Sequence, residues 1–494
     1  MSQSIRGLVT ADPGLPHPHP TESYWLSVPH RLAGVQSPEL PQTADVVIIG
    51  SGITGTSTAF HALEEGHGVR VAVLEARTLC SGATGRNGGH VTTYGAILYA
   101  PLKQVLGRDL AYEVLNFTFA NVDEVAKVSR KYALEESQYR SVERIRCFTD
   151  EDSVTRAKAS VTEWENDFPE ESGKYTFIGP EEARNEHGMH GIAGAVRFAA
   201  GALWPYGLIM KIWDVLLEKY PGSLTVDAKT PVTSVSLDTC TDSKYKYKVQ
   251  TSRGTIRAAK VVYATNAHTS HLLPKIRGLL YPFKESMTVQ DLNHEVPNRG
   301  NTTTWSVHGK PTYNATTKRT EMGTLYLQQN ALSGYSFFGG GYANAVEAIT
   351  PDDSTLAAET TPYFQRQLSR LFGQKHMDRN LLIGEWTGIQ GFTADETPLV
   401  GPLPQSLTER GGEGEWIGAG YNGGGMAWCW MVGKALAGMM RGEDVSGWFP
   451  EILIPSEERL TSSLTVENSV ESMQDLFAYD STASPSTAML TSQI

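Results

Sequence analysis

Hydrophobic and polar positions follow two different periods near the start of the chain. Residues 44–49 form a short run rich in β-branched side chains, which is typical of a strand buried on both faces. Apolar residues at helical spacing follow, and residues 69–75 have the pattern of a second buried strand. The pattern predicts a strand–helix–strand unit of about thirty residues.

Beyond this unit the periodicity predicts helices over residues 110–132, 150–168 and 205–220. Alternating segments between residues 224 and 262 predict strands, and residues 324–329 and 335–338 predict a hairpin. A last apolar helix ends near Met440, where tryptophans and methionines at helical spacing are expected to pack in a core. Helices and strands are therefore both expected along the whole chain.

The order of these elements predicts an α/β Rossmann-like domain joined to an α+β domain with a mixed antiparallel sheet. The expected ranges are 44–100, 195–275 and 380–445 for the first domain, 101–194 and 276–379 for the second, 1–43 for an irregular N-terminal arm and 451–494 for a C-terminal tail. The Ser/Thr-rich tail is expected to dock loosely or to be disordered.

Composition narrows the possible partners. The formal net charge of -12 offers no basic surface for nucleic acid or anionic lipid, and no stretch of the sequence predicts a signal peptide or a membrane span. The four cysteines are far apart, so neither a disulfide framework nor a metal site is expected. These features predict a cytoplasmic protein that binds no metal, nucleic acid or membrane.

The segment after the first strand has the spacing of a dinucleotide-binding turn. Gly50 would permit the tight turn, Gly52 would let the backbone reach a pyrophosphate, and Gly55 would let helix and sheet approach closely. Glu75 ends the second strand, where it would accept a hydrogen bond from a ribose 2′-hydroxyl. The helix N-terminus at Ile53 and Thr54 would face the phosphates. The alternative is an ordinary glycine-rich turn.

Residues 75–90 resemble the glycine-rich segment that follows the acidic strand in the amino-acid and amine oxidase flavoproteins, the DAO family. The resemblance implies FAD as the cofactor, although an NAD-dependent dehydrogenase and a mobile surface loop are alternatives. It implies that the following residues contact the cofactor: Ala76, Arg77, Ser81, Gly82, Ala83, Thr84, Arg86, Asn87, Gly88 and Gly89.

Three later segments are similar to the same family, so the resemblance extends over roughly residues 22–445. Residues 261–267 resemble a strand of the FAD domain, residues 386–402 a segment beside the flavin ring, and residues 420–426 a loop and helix start at the flavin pyrimidine. A helix dipole would stabilise negative charge there. Further implied cofactor contacts are Val232, Ala264, Gly391, Tyr421, Asn422, Gly423, Gly424, Gly425 and Met426.

The family resemblance implies oxidation of a C–N bond in an amine or amino-acid-like substrate, with hydride transfer to the flavin and molecular oxygen as acceptor. A dehydrogenase with another acceptor and a non-catalytic FAD-binding protein are alternatives. Tyr326 and Gln328 share one strand face and are expected to point at the flavin, with Trp386 beside the substrate. His90 could be a proton relay, a substrate contact, a covalent flavin ligand or a structural histidine.

Two departures from the family pattern concern residues 386–401. Amino-acid oxidases of the family commonly place an arginine there to hold the substrate carboxylate, but this stretch contains no Arg or Lys. A bulky amine is therefore expected in preference to a small amino acid, unless Arg299 or Arg319 supplies the clamp. The stretch also lacks the cysteine that binds the flavin in sarcosine-oxidase relatives, which predicts non-covalent FAD.

Overall fold

Strands of the chain pair into two sheets in a computed structural model that describes residues 2–66, 68–239, 243–292, 296–374 and 381–477. The strands are β1 (Thr43–Ile49), β2 (Val71–Leu74), β3 (His90–Val91), β4 (Arg140–Phe148), β5 (Thr176–Ile178), β6 (Gly194–Ala202), β7 (Leu224–Asp227), β8 (Val232–Leu237), β9 (Tyr247–Thr251), β10 (Gly254–Tyr263), β11 (Leu280–Asp291), β12 (Thr303–His308), β13 (Thr312–Asn314), β14 (Arg319–Gln329), β15 (Ser336–Ala343), β16 (Leu381–Thr393), β17 (Leu399–Pro402) and β18 (Glu415–Ala419).

Helices connect the strands and cover the sheets. They are α1 (Ser2–Thr10), α2 (Ile53–Glu65), α3 (Tyr99–Leu106), α4 (Arg108–Tyr132), α5 (Leu134–Ser137), α6 (Glu151–Asp167), α7 (Pro180–His187), α8 (Pro205–Lys219), α9 (Thr269–Leu272), α10 (Ala345–Ala348), α11 (Thr360–Leu371), α12 (Gln405–Thr408), α13 (Cys429–Arg441), α14 (Glu457–Ser462) and α15 (Val466–Phe477). Within the described ranges, no helix is long and apolar enough to cross a membrane.

The first sheet has the order β17-β18-β10-β1-β2-β7, with β9 and β8 added beside β10. Strands β18, β10, β1, β2 and β7 are parallel, as the strand–helix–strand pattern requires. Every residue of β2 is buried, because helices cover both faces of such a sheet. The predicted Rossmann-like α/β architecture is therefore confirmed.

The second sheet has the order β16-β11-β15-β14-β12-β4-β6-β3, with β13 beside β14 and β5 beside β6. All of its neighbouring strands are antiparallel except β12 and β4. The predicted hairpin forms between β14 and β15, where Leu327 pairs with Phe338. A second domain with a mixed, largely antiparallel sheet is thus also confirmed.

Strand pairing departs from the predicted division of the chain at three places. Strand β3, strand β6 from Ala195 onwards and strand β16 fall inside the ranges assigned to the first domain, but all three strands pair in the second sheet. The pairing of β6 with β4 extends over the full length of both strands. Hydrophobic pattern indicates a strand but not its partner, and the partner decides the domain.

Both chain ends differ from the prediction. Helix α1 forms in the arm that was expected to be irregular, and α14 and α15 form in the tail that was expected to dock loosely. Helices α1 and α15 contact each other and bury Val9 and Met473 in a core that includes Phe283 of β11. Their amphipathic faces explain why both helices are stable on this surface. Residues 478–494 of the predicted tail, and Cys240, lie outside the described residues.

Candidate active site

A cavity of about 350 Å³ lies between the carboxyl ends of β1 and β10 and the inner face of the second sheet. Such an edge of a parallel sheet is the usual position for a dinucleotide. Most of the sequence-predicted site residues line the cavity: Gly50, Gly52, Ile53, Thr54, Glu75, Ala76, Arg77, Gly82, Ala83, Thr84, Arg86, Asn87, Gly88, His90, Val232, Ala264, Tyr326, Gly391, Tyr421, Asn422, Gly423, Gly424, Gly425 and Met426. Gly55, Ser81, Gly89, Gln328 and Trp386 do not.

The glycines of the first turn occupy positions that a side chain would disturb. Gly50 has a φ of 109°, and a Cβ there would lie 2.5 Å from the carbonyl oxygen of Ala264. A Cβ on Gly55 would collide with the Gly50 carbonyl oxygen, so this residue serves packing beneath the cavity. Gly52 precedes α2, and its Cβ position is 3.0 Å from Thr84 Oγ1. The backbone therefore lies open to a ligand at the start of α2.

Glu75 is held at the end of β2 with its carboxylate facing the same cavity. One oxygen, Oε2, accepts hydrogen bonds from the backbone N–H and the hydroxyl of Ser51, at 3.2 and 2.7 Å. The other oxygen accepts from the Arg77 backbone N–H at 3.0 Å. These bonds fix an acceptor where a ribose hydroxyl is expected. The open backbone and the fixed carboxylate fit FAD.

Arg86 anchors the glycine-rich loop to two distant segments. Its guanidinium is buried and donates to the carbonyl oxygens of Thr387 and Thr21, each at 2.7 Å. Burial lowers the pKa of Arg86 to about 10, and the Asp353 carboxylate acts in the opposite direction. Arg86 therefore joins the loop to β16 and to the N-terminal arm. The arm itself reaches the cavity at residues 14–16 and is held there by contact between His268 Nδ1 and the Gly14 carbonyl oxygen.

The loop that precedes α13 forms one wall of the cavity. The hydroxyls of Tyr421 and Thr54 lie 2.9 Å apart, and the Asn422 amide oxygen accepts from the Thr393 backbone N–H at 2.8 Å. Two N–H groups in the first turn of α13, at Trp430 and Met431, donate to the side chain of Asn121 and are not free for a ligand. The turn Gly425–Ala427 faces the cavity instead.

Gln328 and Trp386 lie outside the cavity, contrary to the prediction. The Gln328 amide donates to the Gly88 carbonyl oxygen at 2.6 Å, and the Trp386 indole N–H donates to the Arg86 carbonyl oxygen at 2.7 Å. Both side chains thus support the glycine-rich loop from behind. Tyr326, two residues away on the same strand, does line the cavity. The sequence could not predict which residue of the strand reaches the cavity, because that depends on where the glycine-rich loop crosses the sheet.

His90 faces the cavity with one ring nitrogen free. Its Nδ1 lies 2.9 Å from the Thr304 hydroxyl, which donates its own proton to the Leu327 carbonyl oxygen. Thr304 must therefore accept from His90, so Nδ1 carries the proton and Nε2 is the acceptor. Nε2 is buried and has no hydrogen-bond partner among the described residues. Burial, with the charges of Arg144 and Arg140, lowers the pKa of His90 to about 3.

This pKa predicts loss of stability in acid. Between about pH 6.5 and 3 the unfolded chain binds a proton at residue 90 that the folded chain excludes, so the free energy of unfolding falls as pH falls through that window. From pH 7 to 4.5 the contribution of His90 is about 2 to 3 kcal/mol. Thermal unfolding at both pH values should show a smaller acid-induced loss in His90→Gln than in the wild type. The exposed-site variant His19→Gln should match the wild type, and an unchanged acid loss in His90→Gln would refute the assignment.

A carboxyl group that sequence analysis missed lies at one end of the substrate-side face. Glu285 of β11 lines the cavity, accepts a hydrogen bond from Gln390 Nε2 at 2.8 Å and lies 3.5 Å from the Tyr326 hydroxyl. Burial raises the pKa of Glu285, while the bonds to Gln390 and Tyr326 act in the opposite direction. The signal available in the sequence was a charged position on the same strand face as Phe283 and Met287.

Cationic and neutral polar groups lie at the other end of the substrate-side face of the cavity. The sequence analysis missed these groups as well. Arg144 of β4 and His308 of β12 line the cavity, together with Tyr94. Arg299 and Arg319, the two candidate clamps, do not: Arg319 forms an ion pair with Glu347 at 2.6 Å, and Arg299 donates to the Glu186 carbonyl oxygen. Neither candidate clamp therefore reaches the cavity, whereas Arg144, which the sequence analysis did not consider, does.

A dinucleotide-binding turn that opens onto the polar inner face of a second sheet is the arrangement of a flavin-dependent oxidoreductase with a separate substrate domain. Comparison with known families agrees with this class. Residues 45–439 match the family model described as FAD dependent oxidoreductase, DAO. The chain belongs to the DAO family of FAD-dependent oxidoreductases, and its cofactor is FAD.

Individual relatives and solved structures match this chain at low sequence identity. Gamma-glutamylputrescine oxidoreductase of Escherichia coli (strain K12) is 29% identical over 115 residues, which span 23% of this chain and 26% of that protein. The matched segment thus covers only about a quarter of that relative. The glycine oxidase of Geobacillus kaustophilus superposes with a TM-score of 0.62 at 18% identity, covering 84% of this chain and 99% of that chain. L-proline dehydrogenase from P. horikoshii gives 0.59 at 20% identity, covering 83% and 98%. These similarities support the shared fold.

Proposed function

We propose that the protein oxidises a C–N bond of an amine or amino-acid-like substrate to an imine, with molecular oxygen as the electron acceptor. The observation that carries the proposal is that the dinucleotide-binding turn and the half-buried carboxyl of Glu285 open into one cavity. A cationic amine gains a counter-ion there, and an uncharged substrate would leave this carboxyl without one. The relatives include enzymes named for an amine substrate and for amino acids, which agrees with this class.

Oxidation requires the amine to be neutral, since its nitrogen lone pair must form the new double bond. The Glu285 carboxylate would accept the proton of a bound ammonium, and its raised pKa favours that transfer. The bound FAD supplies the acceptor for the hydride. The C–H bond beside the nitrogen then breaks, its electron pair leaves as hydride, and the nitrogen lone pair forms C=N. Water hydrolyses the imine, and oxygen takes up two electrons and two protons to give hydrogen peroxide.

The free Nε2 of His90 would orient the amine within this cavity. As a hydrogen-bond acceptor it would bind a substrate N–H, while Thr304 fixes the ring through Nδ1. The Tyr326 ring lies against His90 with centroids 5.9 Å apart at an interplanar angle of 88° and provides an apolar wall beside it. Cys429 also lines the cavity, but burial raises the pKa of its thiol to about 12. The thiol is therefore a weak nucleophile, in agreement with the expectation of non-covalent FAD.

The test is to mix the purified FAD-containing protein with a panel of primary amines, secondary amines and amino acids under anaerobic conditions. We expect members of the panel to bleach the flavin absorbance and to yield a carbonyl product. In air, the same substrates should produce one hydrogen peroxide per carbonyl. Bleaching with turnover only in the presence of an artificial acceptor would identify a dehydrogenase, the alternative that the similarity to L-proline dehydrogenase favours. No bleaching by any member would contradict C–N oxidation.

A further inference from the structure

The guanidinium of Arg144 is a buried cation at the edge of the cavity. The residue is 8% exposed, and its Nε and Nη2 atoms donate to the Ser306 hydroxyl at 3.2 and 3.0 Å. Across the described ranges, no Asp or Glu forms an ion pair with it. Burial lowers the pKa of Arg144 only to about 10, so it remains charged at neutral pH. A buried cation without a carboxylate partner is unfavourable unless an anion binds beside it.

Two further buried groups around this guanidinium lack partners. The Tyr94 hydroxyl and His308 Nδ1 have no hydrogen-bond partner within the described part of the chain, and both residues line the cavity. Burial and the charges of Arg144 and Arg146 lower the pKa of His308, so its ring is neutral. Arg146, two positions along β4, adds a second positive charge behind the first. Together these groups form a cationic pocket with hydrogen-bonding capacity to spare.

We propose that Arg144 binds the carboxylate of an extended substrate whose reacting amine lies at the opposite end of the cavity, beside Glu285. This inference rests on the proposed C–N oxidation. A carboxylate suits the site because it accepts two parallel hydrogen bonds from a planar guanidinium and a third from a hydroxyl such as that of Tyr94.

The order of side chains along the sheet separates the two charged groups. Glu285 approaches the Tyr326 hydroxyl, the Tyr326 ring lies against His90, and Arg144 follows His90. Glu285 stands on β11 and Arg144 on β4, with β15, β14 and β12 between them. Burial, Gln390 and Tyr326 shift the pKa of Glu285, and no arginine contributes to that shift.

The amine and carboxylate of an α-amino acid share one carbon atom, so they cannot occupy both ends of this arrangement. The structure instead fits an amine that is separated from its carboxylate by several bonds, such as an ω-amino acid. The site therefore disfavours small α-amino acids because of the distance between its two charged ends. The missing arginine between residues 386 and 401 is not the reason.

The test compares probes of matched length on the purified FAD-containing protein, in a buffer free of phosphate and carboxylate. Hexanoate binding is followed by the change in the flavin visible spectrum, and 6-aminohexanoate, hexylamine and norleucine are compared as anaerobic reductants of the flavin. We expect 6-aminohexanoate to bind at least about tenfold more tightly than hexylamine, the gain of a charge-assisted hydrogen bond. Norleucine should bind worse than 6-aminohexanoate.

Arg144→Gln should weaken hexanoate binding by at least about tenfold and abolish the advantage of 6-aminohexanoate over hexylamine. Arg144→Lys, which keeps the charge without the planar fork, should be intermediate, and it serves as the test if the glutamine variant fails to fold. Arg197→Gln is the charge-matched control, because Arg197 lies on the neighbouring strand β6, pairs with Glu143 and does not line the cavity. Its hexanoate affinity should equal that of the wild type.

Three results would overturn the proposal. They are unchanged hexanoate binding in both Arg144 variants, loss of FAD from variants that fold as the wild type does, and a preference for norleucine over 6-aminohexanoate. Loss of FAD would make Arg144 a cofactor contact. If hexanoate binds through Arg144 but no amine bleaches the flavin, the C–N oxidation fails and the anion site stands. If hexylamine bleaches the flavin as well as 6-aminohexanoate does, the oxidation stands and the anion site fails.

Discussion

Gly52→Val is expected to fold and to purify without colour, with FAD below about a tenth of stoichiometric content. A Cβ at this position would lie 3.0 Å from Thr84 Oγ1, a contact tighter than side chains ordinarily make. Thr84 Oγ1 also accepts the Ile53 backbone N–H at 3.0 Å, so displacing it would disturb the first turn of α2. The two methyl groups of valine would further occupy the space where the backbone meets the pyrophosphate.

FAD content after gel filtration, from the ratio of flavin to protein absorbance, measures this effect. Gly34→Val is the matched control, because Gly34 is exposed, has no atom within 4 Å of its Cβ position and has an ordinary φ. Circular dichroism of both variants should resemble that of the wild type. Stoichiometric FAD in the Gly52 variant would mean that the pyrophosphate does not lie at this turn.

Glu285→Gln is expected to lower kcat/KM for amines by about a hundredfold or more, the usual contribution of a general base. The amide cannot accept the ammonium proton, so the variant must capture the small fraction of amine that is already neutral in solution. Because that fraction grows with pH, the deficit should shrink as pH rises towards the pKa of the amine. The measurement is kcat/KM as a function of pH for wild type and variant with one good amine.

Glu321→Gln provides the control for this experiment. Glu321 lies in the same sheet, burial likewise raises its pKa, and it bonds to Tyr363 without lining the cavity. The Glu321 variant should keep the wild-type pH profile. A Glu285 variant with a deficit that stays constant over pH would show that Glu285 acts by binding alone and not by proton transfer.

The dinucleotide-binding half of the site was predictable from sequence, because its demands are local. Gly50, Gly52 and Gly55 follow a buried strand and lead into a helix at the spacing that a dinucleotide-binding turn requires. Glu75 reaches the cavity because parallel strands place their carboxyl ends at one edge. Sequence spacing therefore indicated the turn and the acidic strand end, and the resemblance of residues 75–90 to the DAO family implied FAD.

The substrate-side half was not predictable, because it depends on which strands become neighbours. In β4, Arg144 and Arg146 alternate with Ile145 and Cys147, a pattern that is the same for a strand with one face in water and for a strand with one face on a polar cavity. The charge of Glu285 in β11, next to Lys284, carries the same ambiguity. Strand pairing across long sequence separations resolves it, since it brings these residues to one sheet face.

The sequence by itself determined the two-domain fold class and the dinucleotide-binding turn, since short-range periodicity and glycine sterics specify them, and its resemblance to the DAO family implied FAD. Only the tertiary structure decided that Trp386 and Gln328 support the glycine-rich loop from outside the cavity. It also decided that Glu285 and Arg144 face one cavity from its two ends. The physical reason is that burial of a polar side chain is a property of the elements packed around it, and those elements come from distant parts of the chain.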